Sequence, residues 1–281
     1  MRNNIHPIQF SIFRIMLGVY LLLHFIFLFP FSNALFSNEG MLSSPELNPL
    51  YGLFPINLLT WFDEPLFIKL FLILLIFSSS GLILGFKHRW MSAILLYGWI
   101  ALFNRNNFTL TPGIAFIGWL LLAMIFIPEG EPYSFRRKTN TEWEMPQIVF
   151  AGAWFIMSLA YTCSGIDKLG SPSWINGTAI PKLLYSPLMR NTTLVSFFQN
   201  LPEGVLKPFT YIILFAELLF FPLALFHNLR LFIWTMMVCI HLGILIFMNM
   251  FDLSISMLMI HIFTFNPSWL KTSIRFSEPV N

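Results

Sequence analysis

Long uninterrupted apolar runs limit this chain more than any other feature. The first extends from about Phe10 to Pro30. Further runs cover about 66–85, 90–104, 111–128, 147–165, 206–226, 231–250 and 252–268. A helix needs roughly 20 apolar residues to cross a hydrocarbon core about 30 Å thick. The pattern therefore predicts an all-α, polytopic transmembrane helix bundle of about eight spans, with the lipid bilayer as its surroundings. The third and eighth runs are short, and the last two are barely separated, so seven or nine crossings remain open. Composition agrees with lipid contact. Of 281 residues, 57% are hydrophobic and only 10% are charged, against roughly a quarter charged in a soluble domain. That is too little charge to clothe a water-facing surface of this size.

The N-terminal run is too long for a signal-peptide core and no A-x-A-like site follows it, so it reads as a retained first helix. Basic residues then set the orientation. With the N-terminus cytoplasmic, short inner segments carry Arg2, Lys87, Arg89, Arg136, Arg137, Lys138, Arg230, Lys271 and Arg275. The outer segments spread Arg105, Lys168, Lys182, Arg190 and Lys207 over longer stretches. Both termini are therefore expected in the cytoplasm. Two long outer loops follow, about 31–65 and 166–205, both rich in aromatics and turn residues. The stretch 129–146 is the one strongly polar inner loop. Residues 1–281 read as a single domain.

Several function classes drop out. No basic run is long enough for nucleic acid. Cys163 and Cys239 lie in apolar runs outside any C-x-x-C pair, which reads as buried thiols and predicts no metal site. The N-x-T triplets at Asn107, Asn176 and Asn191 matter only in a eukaryotic secretory pathway. No inverted repeat or matched pair of broken helices favours a transporter.

Ionisable residues inside spans are costly and are functional candidates by default. Here they are Arg14, His24, Lys69, Glu217, His241, Asp252 and His261. Counting 1.5 Å per residue places Glu217 roughly 13 Å deep, where it can meet Arg14. An ion pair fixing helix packing and a substrate or proton-path role are both open for these two. Lys69 reads as a snorkelling lysine, and His24 and His261 as core histidines. His241 shares the bundle with Glu217 and can act as base, acid or hydrogen-bond donor. Asp252 begins the last span and reads as a helix cap or a counter-charge for Lys168.

The richest segment is Tyr161-Thr162-Cys163-Ser164-Gly165-Ile166-Asp167-Lys168-Leu169-Gly170. Gly165 is expected to break a helix at the outer face, leaving Lys168 where hydrocarbon meets water. There it serves either as a desolvated base or as an ordinary interfacial partner of Asp167.

Taken in order, a set of short motifs resembles a known family. They are Arg14-Ile-Met-Leu-Gly18, Phe36-Ser-Asn-Glu-Gly-Met-Leu42, Tyr51-Gly-Leu-Phe-Pro55, Asn104-Arg-Asn-Asn107, Ser164-Gly-Ile-Asp-Lys-Leu169 and Trp174-Ile-Asn-Gly177. Glu217 with Pro222, and His241 through Asp252 to Pro267-Ser-Trp269, complete the series. The chain is similar over nearly its whole length to the HTTM superfamily, the membrane module of vitamin K-dependent gamma-carboxylases and their bacterial relatives. The resemblance implies a lyase at the outer or lumenal membrane face. A reduced, vitamin K-like quinone is oxidised there by oxygen, and a peptide glutamate is carboxylated at its gamma carbon. It implies that Lys168 starts the chemistry by deprotonating the hydroquinone and that His241 is the family's late-helix histidine. Arg14, Asn107, Glu217 and Asp252 become its polar support.

Two departures are visible. Phe108 stands where the carboxylases carry a histidine. The large lumenal domain that grips a peptide does not follow Trp269, so peptide recognition falls to a small partner protein or to the outer loops. The resulting expectation is an enzyme of the bacterial inner membrane engaged in maturation of a secreted peptide. The competing expectation is a non-catalytic membrane binding or assembly factor for such a peptide.

Overall fold

The computed structural model of the chain describes residues 5–135 and 143–269. Arg2, the basic triplet 136–138, Lys271 and Arg275, on which the orientation argument leans, lie outside the described residues. Among the described residues the structure is helical and no strand forms; one isolated bridge joins Met189 and Met248. Four helices are long and apolar enough to cross a membrane: Pro7–Phe36, Pro65–Leu84, Gln147–Leu169 and His227–Phe247. This is the make-up of a membrane protein.

Internal packing divides the chain into two units: residues 1–149 with 265–267, and residues 150–264 with 268–281. The first unit contains α1 (Pro7–Leu28), which runs through a 3-10 turn into α2 (Ser32–Phe36), then α3 (Leu58–Trp61), α4 (Pro65–Leu84), α5 (His88–Arg105) and α6 (Ile114–Phe126). α1 packs along α4, α4 on α5, and α5 on α6. Their shared interior holds Leu17, Leu21, Phe25, Leu72, Leu75 and Trp99, all essentially inaccessible. Gly85 ends α4 in a left-handed conformation (φ 68°), with Phe86 N–H returning to the Gly81 carbonyl. That C-terminal cap suits glycine because a Cβ is penalised there.

The second unit is built on α7 (Gln147–Leu169), whose first turn belongs to the first unit. It continues with the short helices α8 (Pro172–Ile175), α9 (Ala179–Leu183) and α10 (Thr193–Gln199). Then come α11 (Glu203–Leu218), α12 (Phe220–Leu225), α13 (His227–Phe247) and α14 (Phe251–Thr264). α13 packs on α12 and α14, and α11 on α8, α9 and α13.

Three sequence expectations change. The run 206–226 is two helices, α11 and α12, separated at Leu219. Pro222 explains the break: it has no N–H for the Leu218 carbonyl four residues back, and its ring would clash with that group. Gly165 does not end a helix, because α7 continues to Leu169. Cys163 and Cys239 are exposed rather than buried, since they sit on the outward faces of α7 and α13.

Candidate functional site

On α7, Tyr161, Ser164, Gly165 and Lys168 follow one another at spacings that bring side chains to one helix face. Gly165 is what lets a second chain segment reach that face. A Cβ built on it would lie 2.5 Å from the Leu218 nitrogen and 2.7 Å from Leu218 Cα. The end of α11 therefore rests directly on the α7 backbone, one turn before Lys168. Thr162 secures the junction across the helix break. Its hydroxyl donates to the Glu217 carbonyl at 3.4 Å and accepts the Phe221 N–H at 3.1 Å.

The close approach delivers Glu217 to Lys168. Lys168 Nζ lies 2.5 Å from Glu217 Oε2 and donates to Ser164 Oγ at 2.7 Å. The indole of Trp174 covers it, with Nζ 5.0 Å from the ring centroid. The two side chains keep 20% and 12% of their surface, so the pair is largely enclosed but not sealed.

Deeper along the same face, three polar rings gather. Ring centroids are 5.7 Å apart for Tyr161 and His241, 5.8 Å for Tyr161 and His261, and 6.2 Å for the two histidines. All three residues are buried, and Phe220 packs 4.7 Å from Tyr161. Tyr161 stands two turns before Lys168 on the same face of α7, which ties the rings to the ion pair along one helix. α11, α12 and α13 also border an open, almost wholly apolar groove of about 570 Å³, lined by Tyr211, Phe215, Leu219, Leu223, Phe232 and Met236 among others.

Arg14 has a different partner from the one expected. It does not pair with Glu217; its Nε lies 2.8 Å from Glu131 Oε1 in the first unit. Its guanidinium also donates to the carbonyls of Leu82, Ile83 and Tyr133. His88 completes the group, with Nδ1 3.2 Å from Glu131 Oε1 and Nε2 3.2 Å from the Ile127 carbonyl. The loop bearing Glu131 folds back through left-handed residues at Gly130 and Tyr133, and Phe135 N–H then donates to the Leu84 carbonyl at 2.8 Å, next to Gly85. Depth counting along straight helices could not foresee such a return. Burial pushes the Glu131 carboxyl up, but the hydrogen bond and charge of His88, together with Arg14, outweigh it. The net effect holds Glu131 below its ordinary carboxylate value.

The remaining candidates fall as follows. Asn107 is half-buried in a 3-10 turn of the first unit. The buried amide work beside it belongs to Asn104, Asn57 and Asn106: Asn57 donates to Asn104 Oδ1 at 3.1 Å, and Asn106 to the Leu35 carbonyl at 2.7 Å. Phe108 is 72% exposed. Asp252 is the acid in the first turn of α14, where a negative charge complements the helix dipole. His24 packs against Trp99, and Lys69 is exposed on α4.

The sequence alone does not single out Thr162 or Ser164, offers Trp174 only as part of a loop motif, and leaves His261 as a core histidine. The helical register 161, 164, 165, 168 was the available signal for the α7 members. Nothing in the sequence linked His261 to Tyr161. Comparison with protein-family models, with curated proteins and with solved structures finds no match.

Proposed function

We propose that the chain is an integral membrane enzyme resembling the vitamin K-dependent gamma-carboxylases. In this reading about eight segments cross the bilayer, the four full-length helices joined by α5, α6, the broken α11–α12 and α14. Both termini are cytoplasmic, the membrane is the bacterial inner membrane, and the site faces outward. Its substrates are a quinone, a secreted peptide, or both.

The observation that carries the reading is the enclosed Lys168–Glu217 pair at the end of α7. A lysine in its free-amine form can accept a proton from a substrate, and Glu217, 2.5 Å away, counters the charge Lys168 then carries. Ser164 and Trp174 hold that nitrogen in place, and the α11–α12 break presents the carboxylate to it. The apolar groove beside the same break fits the hydrocarbon tail of a lipid-borne quinone. When bound, a reduced quinone would supply the electrons that oxygen takes up.

The test is Lys168→Ala with the mass of candidate secreted peptides as readout. The expected result is a loss of modification of about 10²-fold or more at unchanged membrane abundance. Undiminished modification would remove the catalytic role.

One observation favours a second reading, a non-catalytic binding or assembly factor. Lys168 already has a carboxylate partner, as an interfacial anchor would. Under it, Lys168→Ala leaves every peptide mass unchanged and instead releases a bound peptide or small partner protein.

A further inference from the structure

Tyr161, His241 and His261 present a hydrogen-bonding deficit that the ion pair does not explain. Tyr161 Oη, both ring nitrogens of His241 and His261 Nε2 are all buried and have no hydrogen-bond partner among the described residues. Relative exposures are 4%, 5% and 1%. Buried polar atoms are nearly always satisfied, by protein, by water or by a ligand. These four orphaned atoms sit on three rings whose centroids lie 5.7, 5.8 and 6.2 Å apart.

The protonation pattern narrows what can satisfy them. His261 Nδ1 sits 2.8 Å from the Met257 carbonyl. A carbonyl only accepts, so Nδ1 carries the hydrogen, and in the neutral ring Nε2 is a bare lone pair. Whatever meets Nε2 must donate to it. Tyr161 offers one O–H, and a neutral His241 offers one N–H and one lone pair. An oxygen that donates once and accepts twice meets three of the four: it gives its hydrogen to His261 and accepts from Tyr161 and from the His241 N–H, and the other His241 nitrogen lies outside this set. A carbonyl or carboxylate fails, because it would oppose its own lone pair to that of Nε2. A bare cation fails, because it has no lone pair to take the Tyr161 O–H or the His241 N–H. A bare anion fails, because it has no hydrogen to give to His261 Nε2.

We infer that Tyr161, His241 and His261 form a binding subsite for a neutral hydroxyl group. The hydroxyl belongs either to an ordered water or to an alcohol or phenol that enters from the bilayer. The assignment rests on hydrogen-bond accounting and holds whichever role Lys168 has.

The test is nitrogen NMR of the full chain in lipid nanodiscs with ¹⁵N-labelled histidine, using His241→Phe and His261→Phe for assignment. Spectra are compared in lipid alone, with 4-propylphenol, and with 4-propylanisole, which has the same body but no O–H. If an organic hydroxyl is the occupant, 4-propylphenol moves His261 Nε2 to a hydrogen-bonded shift and 4-propylanisole does not. Tyr161→Phe, which removes only the hydroxyl, then weakens the 4-propylphenol response roughly tenfold. If water is the occupant, Nε2 is already hydrogen-bonded in lipid alone and shows exchange contacts with water protons. A His261 Nε2 that stays unbonded in all three conditions overturns the inference. So does an equal response to phenol and anisole. Peptide modification is not part of the readout, so failure of the proposed enzymology leaves this result standing.

Discussion

The two units each bury charge, and they do it differently. In the first, Arg14, His88 and Glu131 are fully enclosed, and backbone carbonyls take up further donors of the Arg14 guanidinium. In the second, Lys168 and Glu217 keep part of their surface, and the rings beside them leave four polar atoms without partners. A network of the first kind, in which Arg14 Nε and His88 Nδ1 are held to Glu131 by charge contacts at 2.8 and 3.2 Å rather than by aligned hydrogen bonds, locks helix ends to a loop. An incomplete network of the second kind leaves unsatisfied hydrogen-bonding groups beside an ion pair. The contrast teaches that charge within an apolar segment does not itself mark a site. What marks one is charge whose surroundings remain unfinished.

Removing one partner of the closed network is the severest way to test this contrast. Glu131→Ala leaves Arg14 and His88 buried without their counter-charge, and a loss of roughly 3–5 kcal/mol is expected. Thermal unfolding in detergent checks it; a loss near zero would place Glu131 among ordinary loop residues. Gly165→Ala should cost less, roughly 1–3 kcal/mol, by forcing the added methyl group against the Leu218 backbone. It should also loosen the Lys168–Glu217 contact, so lost function ought to accompany the lost stability. Unchanged stability and function would show that α11 does not rest on Gly165.

The mildest test is acid. Because the Glu131 carboxyl is held below its unfolded value, its contribution is fully present above the unfolded carboxylate range. It fades as pH falls through the folded value. Melting curves from pH 7 downward should therefore show a decline that Glu131→Gln flattens. An equally steep decline in that variant would assign acid sensitivity to other groups.

The apolar runs gave away the helices because lipid contact leaves little freedom: each span must be long, apolar and internally hydrogen-bonded. Lys168, Glu217 and His241 stood out for the same reason, since ionisable groups in such runs are rare. Thr162, Ser164 and His261 did not, because hydroxyls and an occasional histidine are ordinary helix residues until their neighbours are known. Arg14 was visible as a charge and as half of a pair, but the partner it suggested, Glu217, was the wrong one. Its partner, Glu131, looked like a loop acid in the chain's most polar stretch.

The sequence by itself thus determined a helical membrane protein and the short set of residues that sit uneasily in apolar surroundings. Tertiary structure alone decided who meets whom. It sent Arg14 to Glu131, brought Glu217 to Lys168 through a glycine and a proline-broken helix, and left Tyr161, His241 and His261 facing one another. The physical reason is range. Burial and helix formation depend on a residue and its near neighbours, whereas a hydrogen bond requires two atoms about 3 Å apart, and only the folded path of the backbone sets that distance.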